Sequence, residues 1–323
     1  MGTGRRRLAA AFVALALFGC GGSGNNSSAA PAVPDGSFAI GETTLVLVDE
    51  SRPTAPNNGV PGEDSRTLRT TVYYPTAGDV GSAVQVGAPA LAGHRFPLIV
   101  FAHGLTAVAK VYVAILQGWA SAGYVVAAPN FPLSNGGAPG GPVEGDYINQ
   151  PADESFVIDE VLKLNEDATS PLHGIVDPQH IGASGQSLGG FTTFGIAFNT
   201  CCRDPRIDAA VPMAGALVPF PGGDYEAEIG PPVLIIHGDA DDTVPYSSAT
   251  EAYALAEPPK LLLTHVGGNH VIPYVGTNPA VTATIDASIA FFDLFLKHER
   301  GAEERLLAVG SREHVTLTYD LGR

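Results

Sequence analysis

The sequence predicts an α/β architecture: a mostly parallel central sheet with helices on both faces. Three observations carry that prediction. From residue 96 onward, short strand-like runs alternate with helix-length segments, the pattern of crossover-connected parallel strands. Runs such as Phe96–Ala102 and Pro232–Ile236 are continuously apolar, as strands covered on both faces must be. The residues able to do chemistry stand directly after such runs, where sites gather in sheets of this kind.

The elements follow in order. Thr43–Val48 and Leu68–Tyr74 read as an antiparallel opening pair, separated by a Pro/Gly/Asn-rich stretch. Phe96–Ala102 is a buried strand ended by His103-Gly104, and a helical stretch runs from about Ala107 to Ala122. Tyr124–Ala128 is the next strand, and Asn130–Gln150 a long Gly/Pro loop. A helix spans Ala152–Asn165. Ile181–Ser184 forms a short strand, and Leu188, Phe191, Phe194, Ile196 and Ala197 then take helical spacing. Strands at Ala209–Ala214, Pro232–Ile236 and Lys260–His265 and helices at Ser247–Ala256 and Ile285–His298 complete the pattern.

The most informative stretch is Gly185-Gln186-Ser187-Leu188-Gly189. A G-x-S-x-G at a strand-to-helix junction suits a sharp turn that lifts a serine hydroxyl off a sheet. Gly185 and Gly189 leave space where Cβ atoms would crowd that turn. The pattern alone is weak; its position between a strand and a helix sharpens it.

A serine hydroxyl needs a base, and the base needs an orienting carboxylate. His237-Gly238-Asp239-Ala240-Asp241-Asp242 follows a strand and offers three acids. Asp241 is the first choice, Asp242 the second and Asp239 the third. After the last predicted strand, His265 belongs to the strand itself. His270 follows Gly267-Gly268 in a loop free to swing over Ser187, and is the candidate base. The backbone N–H groups of Leu105 and Leu188 are the candidate oxyanion donors. His103 reads as a residue that shapes its loop.

Together, Phe101-Ala102-His103-Gly104-Leu105-Thr106-Ala107, the elbow at Ser187, His237-Gly238-Asp239-Ala240-Asp241 and Gly267-Gly268-Asn269-His270 resemble the α/β-hydrolase superfamily over about residues 40–298. The nearest branch joins dienelactone hydrolase-like proteins, platelet-activating-factor acetylhydrolases and bacterial cutinases. The resemblance implies a serine ester hydrolase with a Ser187–His270–Asp241 triad, acting on short or exposed acyl esters. Polyester or cutin hydrolysis and phospholipid deacetylation are the alternatives, and a silent surface-binding lipoprotein is the alternative of another class. The chain departs from its relatives in places. Dienelactone hydrolases carry cysteine where Ser187 stands. Polyester hydrolases usually place an aromatic residue at Leu105 and often Trp or His at Gln186. The short stretch from Leu217 to Val233 leaves no room for a large cap domain.

Arg5–Arg7, the apolar run Leu8–Phe18 and Leu17-Phe18-Gly19-Cys20 read as an export signal, too short to span a bilayer. The end of this segment resembles a lipobox, with Cys20 as the lipid-bearing residue; cleavage of a plain secretory signal is the alternative. The expected organisation is a lipoprotein-type signal peptide at 1–19, a flexible Gly/Ser/Asn/Ala tether at 20–38 and one catalytic domain at 39–323. The product is a monomer, anchored at the cell envelope or secreted. A net charge of −16 argues against nucleic acid and against a bare anionic bilayer. No cofactor or metal is implied, since His237 and the neighbouring Asp residues lack zinc-site spacing. Cys201 and Cys202 read either as a vicinal disulfide or as two partly buried thiols.

Overall fold

The structure is a computed structural model and describes residues 38–226, 228 and 230–322. The expected signal segment, the lipidation site Cys20 and the tether as far as residue 37 lie outside the described residues. Among those described, no helix is long and apolar enough to cross a membrane.

One sheet carries ten strands. In chain order they are β1 (Ala39–Asp49), β2 (Arg66–Thr76), β3 (Gln85–Val86), β4 (Phe96–Ala102), β5 (Val125–Asn130), β6 (Val176–Gln186), β7 (Ile207–Met213), β8 (Val233–Gly238), β9 (Lys260–His265) and β10 (Val315–Asp320). Across the sheet the order is β10-β9-β8-β7-β6-β4-β5-β2-β1-β3. The pairs from β5 through β9 are all parallel. β1–β2, β2–β5 and β9–β10 are antiparallel. The strand order turns back on itself between β4 and β6, so a crevice opens at their carboxyl ends, beside the end of β6.

Among the described residues six α-helices cover the sheet: α1 (Val113–Ser121), α2 (Gln150–Glu166), α3 (Leu188–Phe198), α4 (Ser247–Leu255), α5 (Pro279–Phe295) and α6 (Ala302–Val309). The period-2 alternation of β4 decides which face each residue serves. Ile99 and Phe101 join α1, α5 and α6 in one core, through Ile115, Trp119, Phe291, Phe292 and Leu306. Leu98, Val100 and Ala102 join α2, α3 and α4 in the other, through Val157, Ile158, Phe194 and Ala249. Trp119 is fully buried, and its indole N–H donates to Ser288 Oγ on α5 at 2.8 Å.

Several boundaries depart from the sequence reading. α5 begins at Pro279 rather than Ile285, because Asn278 caps it by accepting from the Ala280 and Val281 N–H groups. The helical stretch after β4 opens as a 3-10 turn, Ala109–Tyr112, before α1 begins. β6 starts at Val176, with a register irregularity against β4 that absorbs its polar lead-in. α6 and β10 extend the domain beyond the expected last helix, and β10 closes one edge of the sheet against β9. Between β7 and β8, residues 214–232 hold no α-helix or sheet strand among the described residues, so no cap domain is inserted there.

Two polar features brace the periphery. Arg66, at the start of β2 and 1% exposed, makes paired hydrogen bonds to Asp146 and to Asp153, at 2.6–3.1 Å. These fasten the opening strands to α2 and to the turn before it. Removing one member of such a buried cluster typically costs about 3–5 kcal/mol, because the other charges lose their partner. Cys201 and Cys202, just past α3, form a disulfide with each other.

Candidate active site

Ser187 sits between the end of β6 and the first residue of α3 with φ 59° and ψ −118°. An L-residue at positive φ is strained by about 1–3 kcal/mol, and such strain persists only where the surroundings enforce it. They do so here. The Ser187 N–H donates to Met213 O on β7 at 2.9 Å. A Cβ on Gly189 would overlap the Ala102 carbonyl of β4, and one on Gly185 would overlap the Gly189 carbonyl. The two glycines are therefore required by the close approach of α3 to β4 and β6.

The three separated side chains expected to converge do so. His270 Nε2 lies 2.8 Å from Ser187 Oγ, and His270 Nδ1 lies 2.7 Å from Asp241 Oδ2. An ionised carboxylate can only accept, so Nδ1 carries the imidazole proton and Nε2 is free to accept from the serine hydroxyl. Asp241 is buried. Burial alone would raise its pKa. Hydrogen bonds from His237 and His270, the charge of His270 and the Val244 N–H outweigh burial and hold the carboxyl well below the usual range. Asp241 Oδ1 also accepts the Thr243 and Val244 N–H groups, each at 2.9 Å. The other two acids serve elsewhere. Asp239 accepts the Gly267 N–H at 2.6 Å, and Asp242 is exposed.

The sequence suggested a free loop at His270; the structure has it closed on Ser187 and pinned. The Ala240 N–H donates to Gly268 O, and the Gly268 N–H to His265 O, each at 3.0 Å. Asn269 Oδ1 accepts from the Val271 and Ile272 N–H groups at 3.0 and 2.8 Å. A Cβ on Gly238 would overlap the Gly268 carbonyl, so the acid loop and the base loop touch only because both are glycine there. His265 is the strand residue expected, buried and bonded to Thr284 Oγ1 at 2.9 Å. Burial pushes its pKa down to about 4.

The loop after β4 is equally braced. His103 is fully buried. Its Nε2 accepts the Phe131 N–H at 3.1 Å, so Nδ1 carries the proton and donates to Gly104 O at 2.8 Å. Burial lowers its pKa to about 4, with the bond to Gly104 opposing, and the ring is neutral at ordinary pH. Gly104 O also accepts the Ala107 N–H at 3.1 Å. In a planar trans peptide the C=O and N–H point in opposite directions. Anchoring Gly104 O on His103 therefore aims the Leu105 N–H the other way. No acceptor among the described residues pairs with the Leu105 or the Leu188 N–H. Ser134 O accepts the Thr106 N–H at 2.9 Å, and the Ser134 hydroxyl accepts from Gln150 Nε2 at 2.8 Å.

Sequence reasoning missed three residues of this neighbourhood. His237 Nε2 lies 3.0 Å from Val244 O and 3.3 Å from Asp241 Oδ2, supporting the acid from beneath. Tyr112 and Gln186 form a bridge between the two loops. The position of Gln186 inside the elbow was the available signal; Tyr112 carried none.

A ten-stranded, mostly parallel sheet, helices on both faces and a serine elbow at the end of β6 define the α/β-hydrolase fold. Residues 62–132 match the family of platelet-activating factor acetylhydrolase, isoform II. The chain thus has the fold of that superfamily and resembles this branch of it. The matched segment runs from just before β2 to just past β5 and takes in β3, β4, the loop that follows it and α1. Two curated relatives are 27% identical over 113 residues, which is 30% of this chain. Both are the uncharacterized protein YfhR, from Escherichia coli O157:H7 and from Escherichia coli strain K12. The match spans 40% of the length of these relatives.

Proposed function

We propose that this protein is a serine carboxylic ester hydrolase acting on short or exposed acyl esters. The observation that carries the reading is the unbroken chain from Ser187 Oγ to His270 at 2.8 Å and from His270 to Asp241 at 2.7 Å. Ser187 Oγ attacks the acyl carbonyl while His270 Nε2 takes its proton. Asp241, held ionised, stabilises the imidazolium that forms. The Leu105 and Leu188 N–H groups receive the oxyanion. His270 then returns the proton to the leaving alkoxide, and water releases the acyl group from Ser187 by the same route.

Ser187 and His270 are half-buried rather than sealed, and the described residues between β7 and β8 build no cap. Both features support exposed or small esters over substrates that need a lid. The match to an acetylhydrolase family supports a short acyl group. The test is a panel of p-nitrophenyl esters of rising chain length, with fluorophosphonate labelling. Hydrolysis should be fastest at acetate or butyrate, and Ser187→Ala should abolish labelling and lower kcat by about 10⁴-fold or more. Undiminished turnover in Ser187→Ala would overturn the proposal.

A further inference from the structure

We propose that Gln186 and Tyr112 act together as positioning residues, a neutral amide–phenol bridge that fixes the oxyanion-donor loop relative to the base. The inference rests on the serine-hydrolase reading. The Gly104 N–H donates to the Tyr112 hydroxyl at 3.1 Å, and that hydroxyl donates to Gln186 Oε1 at 2.8 Å. Gln186 Nε2 donates to the backbone carbonyl of His270 at 2.9 Å. The bridge thus starts one residue before the Leu105 N–H, runs through Gln186, the chain neighbour of Ser187, and ends on the base residue itself.

The direction of each bond is determined. A phenol has one proton; having accepted from Gly104, Tyr112 must give that proton to an acceptor. Oε1 of Gln186 takes it, which leaves the amide NH₂ facing His270 O. The opposite amide orientation would set carbonyl oxygen against carbonyl oxygen. Tyr112 and Gln186 are 2% and 5% exposed, so water cannot readily replace a lost partner. Burial also raises the Tyr112 pKa, keeping the phenol a neutral donor. The chemistry suits glutamine in particular. Glutamate would face the His270 carbonyl with a carboxylate oxygen, and an aliphatic side chain would strand both the phenol proton and that carbonyl.

The bridge joins two loops that must hold fixed distances to one oxygen atom. Their own hydrogen bonds set each loop internally; Gln186 sets one against the other. Misplacement of reacting groups by about 1 Å can cost about 10²-fold in rate. The experiment compares the wild-type chain with Gln186→Met, Tyr112→Phe and the double variant. It uses p-nitrophenyl acetate, with active sites counted by fluorophosphonate titration so that only folded, labelled enzyme is scored. The expected result is a fall in kcat of about 10–10²-fold for Gln186→Met, with KM changed less than about 3-fold. Tyr112→Phe should fall less, and the double variant should be no worse than Gln186→Met, since both changes break one bridge. Wild-type kcat per titrated site in Gln186→Met would overturn the proposal. So would additive losses in the double variant. If Gln186→Met does not fold, an unchanged kcat in Tyr112→Phe overturns it alone. Failure of the underlying reading is separately visible, as absence of fluorophosphonate labelling at Ser187 in the wild type.

Discussion

Mild acid should weaken this fold through two buried imidazoles, and the size of the effect can be worked out. His103 and His265 are 0% and 2% exposed, and each has its pKa lowered from 6.5 to about 4 by burial. Below pH 6.5 the unfolded chain accepts protons that the folded chain refuses. Each histidine therefore contributes its full stability above about pH 6.5 and loses it as pH falls towards 4, with no further loss below that. The whole interval is worth about 3 kcal/mol per histidine at 1.36 kcal/mol per pH unit. Between pH 7 and pH 5 the linkage relation gives about 2 kcal/mol for each. Glu154 works in the opposite sense. It is fully buried and its pKa is raised well above 4.5 by burial and by Asp153 and Asp204, so acidification stabilises the fold through it. The wild-type slope mixes these contributions, but a difference between variants isolates one. Urea unfolding followed by circular dichroism at pH 5, 6 and 7 should show a smaller pH dependence in His103→Gln than in wild type. The difference should be about 2 kcal/mol over that range. Coincident pH dependences would refute the assignment of His103 as a buried neutral ring.

Gly189→Ala should destabilise by about 1–3 kcal/mol or more, because its Cβ would overlap the Ala102 carbonyl, and thermal unfolding would register it. Gly145→Ala, where nothing lies within 4 Å of an added Cβ, should leave the midpoint nearly unmoved. Glu154→Met should stabilise the protein, by about 1–3 kcal/mol at pH 8 and by less at pH 5. Neither carboxyl oxygen has a hydrogen-bond partner among the described residues, and the unfolded chain no longer gains from ionisation. Equal gains at both pH values would contradict the raised pKa.

The parallel heart of the sheet was legible because strands buried on both faces must be apolar runs. β9 was read to the residue, and β4 likewise. Ends were harder, since they depend on capping and pairing. The Asn278-Pro279 start of α5 was written plainly but sits ahead of the apolar stripe. β10 alternates Val315, Leu317 and Tyr319 with polar residues, yet as an edge strand it buries only Val315. The three side chains that meet, Ser187, His270 and Asp241, were readable as candidates because each follows a strand in a loop of glycines or acids. Tyr112 was not, since its hydroxyl acts across 74 residues of chain on Gln186. His237 was passed over as a metal candidate without a second role, because only the folded turn brings its ring beneath Asp241.

Trp119 is the sole tryptophan of the chain and sits fully buried at the contact of α1 with α5. Its emission should be blue-shifted when α5 is docked and move red on release, an optical reporter for one side of the molecule. The serine elbow belongs to α3, on the opposite side. Fluorescence and fluorophosphonate reactivity thus watch different layers. A solvent or temperature at which they part company would identify a partly opened chain, with one layer released and the other still assembled.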